Sequence, residues 1–198
     1  KSLQTWKKEA DDGDAKAALW AALVYERKLV PDSSPEKSVP YLLQAAESGN
    51  LTAQGLLAFK YRDGLGVPQD AAKAVEWFEK AASRKDLGAV MELGIMFRDG
   101  KYLPPDREKA FHWFEKGAEW KDPYSMAALA DMLLEGTPSA EQAARALALY
   151  REAAAVGYFP AALKAAELLQ NGKGGELDAD EAYRLLRRVA DAAGDPKA

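Results

Sequence analysis

The chain has 198 residues, 48% hydrophobic and 29% charged, with a formal net charge of −4. That acidic balance leaves no basic footprint for nucleic acid, and the absence of cysteine excludes disulfides, thiolate metal sites and a thiol nucleophile. The longest unbroken apolar run, Ala17 to Tyr25, falls far short of the roughly 20 residues that cross a bilayer.

One spacing orders the elements. The stretch RDGLGVPQDAAKAVEWFEKAA from Arg62 to Ala82 returns as RDGKYLPPDREKAFHWFEKGA from Arg98 to Ala118, so that Arg62 and Arg98, Asp70 and Asp106, and Trp77 and Trp113 each lie 36 residues apart. A fixed period of this size predicts stacked supersecondary units rather than one closed core. In chain order, residues 1–13 form the second helix of a partial repeat, since Trp6 stands two periods before Phe78 and Ala10 two periods before Ala82. Five full repeats then start near Asp14, Asn50, Asp86, Asp122 and Tyr158, without insertion or deletion, as one all-α array over residues 1–198. No signal-peptide pattern is visible and the chain opens on a lysine, so a removed leader and a portion of a longer protein are both open.

Each repeat reads as two helices. The first runs over Asp14–Arg27, Asn50–Arg62, Asp86–Arg98, Asp122–Glu135 and Phe159–Asn171, with a small residue at Ala17, Ala53, Ala89, Ser125 and Ala161 that lets a second helix approach closely. Gly64, Gly100, Gly136 and Gly172 fall just past the helix end, where the left-handed conformation is favoured; Lys28 takes that place in the first repeat. Ser34, Asp70, Asp106 and Asp178 are set to cap the second helices. In the fourth repeat Ser139 and Gln142 form a capping-box pattern that starts the helix about a turn early. The second helices carry large then small residues, as in Trp77–Phe78 followed by Ala81–Ala82.

The run Ala89…Leu93-Gly94…Phe97…Gly100…Asp106…Lys109-Ala110…Trp113-Phe114…Gly117-Ala118 resembles the SEL-one-like repeat, a relative of the tetratricopeptide repeat, and Gly64-Leu65-Gly66-Val67 with Asp70…Lys73-Ala74…Trp77-Phe78 matches its loop. The resemblance implies a right-handed α–α superhelix whose first helices line a concave face. It also implies a non-enzymatic adaptor that binds other proteins, often bacterial and periplasmic or otherwise exported. Some relatives are immunity proteins that neutralise secreted phospholipase toxins; others act in envelope assembly or signalling. The family has no catalytic residues to transfer, and no cofactor is implied.

The candidate chemistry is sparse. His112, the single histidine, is placed on the outer face of a second helix, and without cysteine or a second histidine a zinc site lacks ligands. Asp178, Asp180 and Glu181 read as a negatively charged first turn rather than a calcium loop. Gly172, Gly174 and Gly175 read as a turn, without the lysine and strand of a phosphate loop. The informative surface is the part of the first helices that repeat packing does not need: Leu23, Phe59, Met91 and Ile95, with Arg62 and Arg98 one turn on. At the position of Leu23 the later repeats carry Asp131 and Glu167, so the lining changes from apolar with arginines to acidic. Apolar residues mixed with arginine predict a protein-binding site; the alternative is that some, Met91 and Leu19 among them, pack against the neighbouring layer. A second expectation, of a different class, is a structural module that self-associates through its open ends.

Overall fold

A computed structural model describes residues 2–174, 177–192 and 194; Gly175 of the glycine cluster lies outside them. Among the described residues the chain is helical throughout, with no strand. The helices are α1 (Leu3–Asp11), α2 (Ala15–Glu26), α3 (Pro35–Glu47), α4 (Leu51–Asp63), α5 (Ala71–Ala82), α6 (Leu87–Asp99), α7 (Arg107–Glu119), α8 (Pro123–Leu133), α9 (Ala140–Ala155), α10 (Phe159–Asn171) and α11 (Ala179–Ala192). They fall into two compact units, Lys1–Asp106 and Arg107–Ala198. Within each unit every helix packs on the next in sequence.

Local chemistry explains the boundaries. The repeat starts are helix caps: Asp14 accepts from the Lys16 N–H at 2.8 Å, Asn50 from Ala53 at 3.0 Å, Asp86 from Ala89 at 2.8 Å and Asp122 from Ser125 at 2.8 Å. Each such cap stabilises its helix by about 1 kcal/mol. Asp70 and Asp178 likewise receive the N–H groups of Lys73 and Glu181, whereas Ser34 makes no side-chain cap bond and relies on Pro35 in the first turn. The capping box of Ser139 and Gln142 is present, and α9 begins at Ala140, three positions ahead of the start that α5 at Ala71 sets two periods earlier.

The small residues at Ala17, Ala53, Ala89, Ser125 and Ala161 are 0–3% exposed, so each is sealed within the helix packing. The turns after the first helices place Gly64, Gly100, Gly136 and Gly172 at φ between 65° and 72°, and Lys28 adopts the same left-handed conformation at φ 52°. A second left-handed series, also spaced by 36, closes the second helices at Gly13, Gly49, Lys85, Lys121 and Gly157.

The first unit has a buried polar tie as well as apolar packing. Lys60 on α4 places Nζ 2.7 Å from Glu26 Oε1 on α2 and 3.2 Å from the Leu65 carbonyl. Ser38 on α3 donates to the same carboxylate. Gly66, at φ 79°, sits so close to the start of α3 that a Cβ there would stand 2.5 Å from the Pro35 carbonyl carbon.

Candidate functional site

In the first unit α4, α6 and the loop after α6 bring Arg62, Glu92, Ile95, Asp99, Lys101 and Tyr102 around a cavity of about 300 Å³. Phe59 meets Phe78 of α5 edge to face, with centroids 5.1 Å apart, and the Arg62 guanidinium lies 4.7 Å above the Phe59 ring and 5.3 Å from that of Tyr102. Nη1 of Arg62 donates to Glu92 at 2.6 Å, and Nε and Nη2 donate to Asp63 at 2.9 and 2.8 Å. The Tyr102 hydroxyl completes the cluster by donating to Asp63 at 3.0 Å. Arg62 is therefore held by two carboxylates and two rings, a pre-set position that costs little further side-chain entropy on binding.

The electrostatics follow from this packing. The hydrogen bond from Arg62 holds the Asp63 carboxyl below the usual carboxylate range. Burial pushes the Glu92 carboxyl up, even with the guanidinium beside it. Arg98 lies on the next first helix with Nε 2.6 Å from Asp99. The arginines that the sequence sets beside an apolar patch thus come with their own counter-charges, and the face is of mixed sign.

Phe59, Arg62 and Ile95 gather at this cluster. Leu23 on α2 and Met91 on α6 are half-buried and do not line its cavity. Asp131 belongs to the second unit, where it is exposed beside another cavity of about 550 Å³ lined also by Glu135, Ser139, Tyr150, Lys164 and Glu167. There the Tyr150 hydroxyl donates to Asp131 at 2.5 Å, and burial together with that carboxylate pushes the phenol pKa up. The residues missed from sequence are Asp63, Glu92, Asp99 and Tyr102. Glu92 carried one signal: it follows Arg62 by 30 residues, less than one repeat, and so returns beside the end of the preceding first helix.

His112 is exposed, with its ring set edge-on to Trp113 at 5.4 Å. Among the described residues no group of three His, Asp or Glu side chains is placed to hold a metal ion, and no helix is long and apolar enough to cross a membrane.

The family model for the Sel1 repeat matches residues 16–50, 52–86, 88–119, 123–158 and 160–193. No curated protein matches the chain. Among solved structures, a Sel1 repeat protein from Oxalobacter formigenes is similar at TM-score 0.79 and 26% identity, over 91% of this chain and 74% of that one. A protective antigen present in uropathogenic Escherichia coli strains, described as having the SLR fold, is similar at TM-score 0.59 and 23% identity, a likeness of fold alone. That alignment covers 97% of this chain and 49% of the antigen, so this chain spans about half of the antigen's length. An immunity protein from Pseudomonas aeruginosa superposes at TM-score 0.48 and 21% identity, over 83% and 63% of the two chains, too loosely to bear on function. Five consecutive matches over almost the whole sequence, each on a pair of helices closed by left-handed turns, place the chain in the Sel1 repeat family of all-α solenoids, whose members typically mediate protein–protein interaction.

Proposed function

We propose that the chain is a non-enzymatic module that holds a partner protein on the first-helix face of its repeats. Leu23, Phe59, Met91 and Ile95 serve as apolar anchors, Arg62 and Arg98 set orientation, and Asp131 adds acidic character further along the chain. The observation that supports this most is the Phe59–Arg62–Tyr102 cluster beside the cavity at Ile95. Aromatic and arginine side chains fixed in place around a pocket are the usual carriers of binding energy at protein interfaces. Sel1 repeat proteins are generally interaction modules without catalytic activity, which agrees with this reading. Within it we place the chain, on family resemblance, in the periplasm or otherwise outside the cytoplasm, with a secreted phospholipase toxin as the partner it neutralises.

The test is affinity capture from the cells that make the protein, followed by mass spectrometry, with wild-type chain and a Leu23→Asp/Ile95→Asp variant. Both residues are half-buried, and helicity of the variant equal to wild type by circular dichroism is the control for the comparison. A partner held by wild type and depleted at least ten-fold on the variant is the expected result; equal recovery on both removes this face as the binding surface.

A further inference from the structure

We propose that the cavity beside Asp131 in the second unit is a receptor for an arginine side chain carried by the partner protein. The proposal rests on the first-helix face being the binding surface, and the first unit supplies its template. The cavity at Asp131 repeats the one at Ile95 two periods on. Arg62 corresponds to Leu134, Asp63 to Glu135 and Ile95 to Glu167, and all six residues sit at or beside their cavities. In the first unit the chain fills this place with its own guanidinium, which Asp63 and Glu92 hold and the Phe59 and Tyr102 rings flank. In the second unit leucine takes the arginine's position, Asp131 stands where Phe59 does, and Gly174 where Tyr102 does. A Cβ at Gly174 would press on Leu147, 2.7 Å from its Cδ2, so the glycine follows from packing. The cavity is correspondingly larger, about 550 Å³ against about 300 Å³.

What remains is acid without a cation. Among the described residues neither Asp131 nor Glu167 is in an ion pair, and Asp131 accepts the Tyr150 hydroxyl at 2.5 Å. Burial, and with it the charges of Asp131 and Glu167, raises the Tyr150 phenol pKa, so both carboxylates stand near the same hydroxyl. Glu135 meets Arg107 Nε at 3.3 Å, a contact with both side chains more than half exposed that exchanges readily. Lys164, at the position of Glu92, and Lys173 also line the cavity; three carboxylates against two ammonium groups leave one negative charge in excess. A planar guanidinium presents its donors in a fixed fork and bonds carboxylates on two sides at once, as Arg62 does with Asp63 and Glu92. An ammonium group is more strongly hydrated and has no such fork.

Titration of the isotope-labelled intact chain with Nα-acetyl-arginine amide, to about 20 mM to suit a single-side-chain ligand, tests this by NMR chemical shift. Saturable shifts at the amides of Asp131, Glu135 and Glu167 are expected, with none from the uncharged isostere Nα-acetyl-citrulline amide. Asp131→Asn and Glu167→Gln should each weaken binding about three- to five-fold. Lys164→Glu, which restores the acid that Glu92 supplies in the first unit, should tighten it by about the same factor, a gain that misfolding does not produce. Leu134→Arg, which provides a guanidinium from within the chain, should displace the probe. Shifts that do not saturate, an equal response to the citrulline amide, or unchanged affinity in Lys164→Glu overturns the proposal. All of these are read without the partner. Equal partner capture by wild type and Leu23→Asp/Ile95→Asp would instead remove the binding face, whatever the titration shows.

Discussion

Lys60 Nζ stands 2.7 Å from Glu26 Oε1, a charge pair between the first helices of successive repeats in which the lysine side chain is 5% and the glutamate 27% exposed. The Pro35 and Leu65 carbonyls and the Ser38 hydroxyl share the same pocket. Removing Lys60 leaves the Pro35 and Leu65 carbonyls and a half-buried carboxylate without their donor, at a cost of about 1–3 kcal/mol. Lys60→Met is expected to lower the urea midpoint by a corresponding amount, and Glu26→Gln added to it to recover part of the loss. Equal stability of wild type and Lys60→Met would show that the pair contributes nothing.

Gly66 meets two demands at once. Its φ of 79° is strained for any residue with a Cβ, and the added carbon would overlap the Pro35–Glu36 peptide. Gly66→Ala should therefore destabilise the first unit by about 2–4 kcal/mol, combining left-handed strain with backbone displacement. Gly136→Ala shares the positive φ but meets nothing within 4 Å, so its thermal midpoint should fall by less.

Lys28 pays for the missing glycine of the first repeat. At φ 52° its side chain is exposed, and a glycine there removes the left-handed penalty at the cost of some unfolded-state entropy. Lys28→Gly should raise stability by up to about 1 kcal/mol, read as a higher thermal midpoint; a lower midpoint would mean that the lysine stem contributes contacts of its own.

The pH dependence of the Phe59–Arg62–Tyr102 cluster centres on Glu92. Burial raises its pKa in the folded chain above the ordinary value of 4.5. Between these values the folded state holds more protons than the unfolded state, so this group's contribution to stability is present at low pH and declines as pH rises through the folded pKa. In Glu92→Gln that decline is absent. Denaturant midpoints of both proteins, followed upward in pH from about 4, should show wild type losing ground to the variant; parallel curves would place the carboxyl in a water-like environment.

The repeat period carried most of the fold. Aligning Asp14, Asn50, Asp86 and Asp122 by spacing located the starts of the first helices; that their side chains cap those helices is shown only by the N–H groups they accept. The second left-handed series is hidden in the sequence, since lysine replaces glycine at Lys85 and Lys121 and puts a conformational requirement behind a charged side chain. Lys60 was equally opaque: a lysine among polar residues near a helix end reads as solvated, and only the converging carbonyls of Pro35 and Leu65 show otherwise. The site was legible in part. Phe59, Arg62 and Ile95 come together, but the carboxylates that neutralise Arg62 depend on how α4 and α6 pack side by side, information that hydropathy along one helix does not contain.

Hydroxyl-radical footprinting of the chain, alone and with its captured partner, tests the binding face most directly. Phe59, Met91 and Leu23 are half-buried on first helices, while exposed His112 on α7 serves as the reference. The expected result is protection of Phe59 and Met91 by several-fold on partner binding with His112 unchanged. Protection of His112 with Phe59 and Met91 still reactive would contradict binding through the first-helix face.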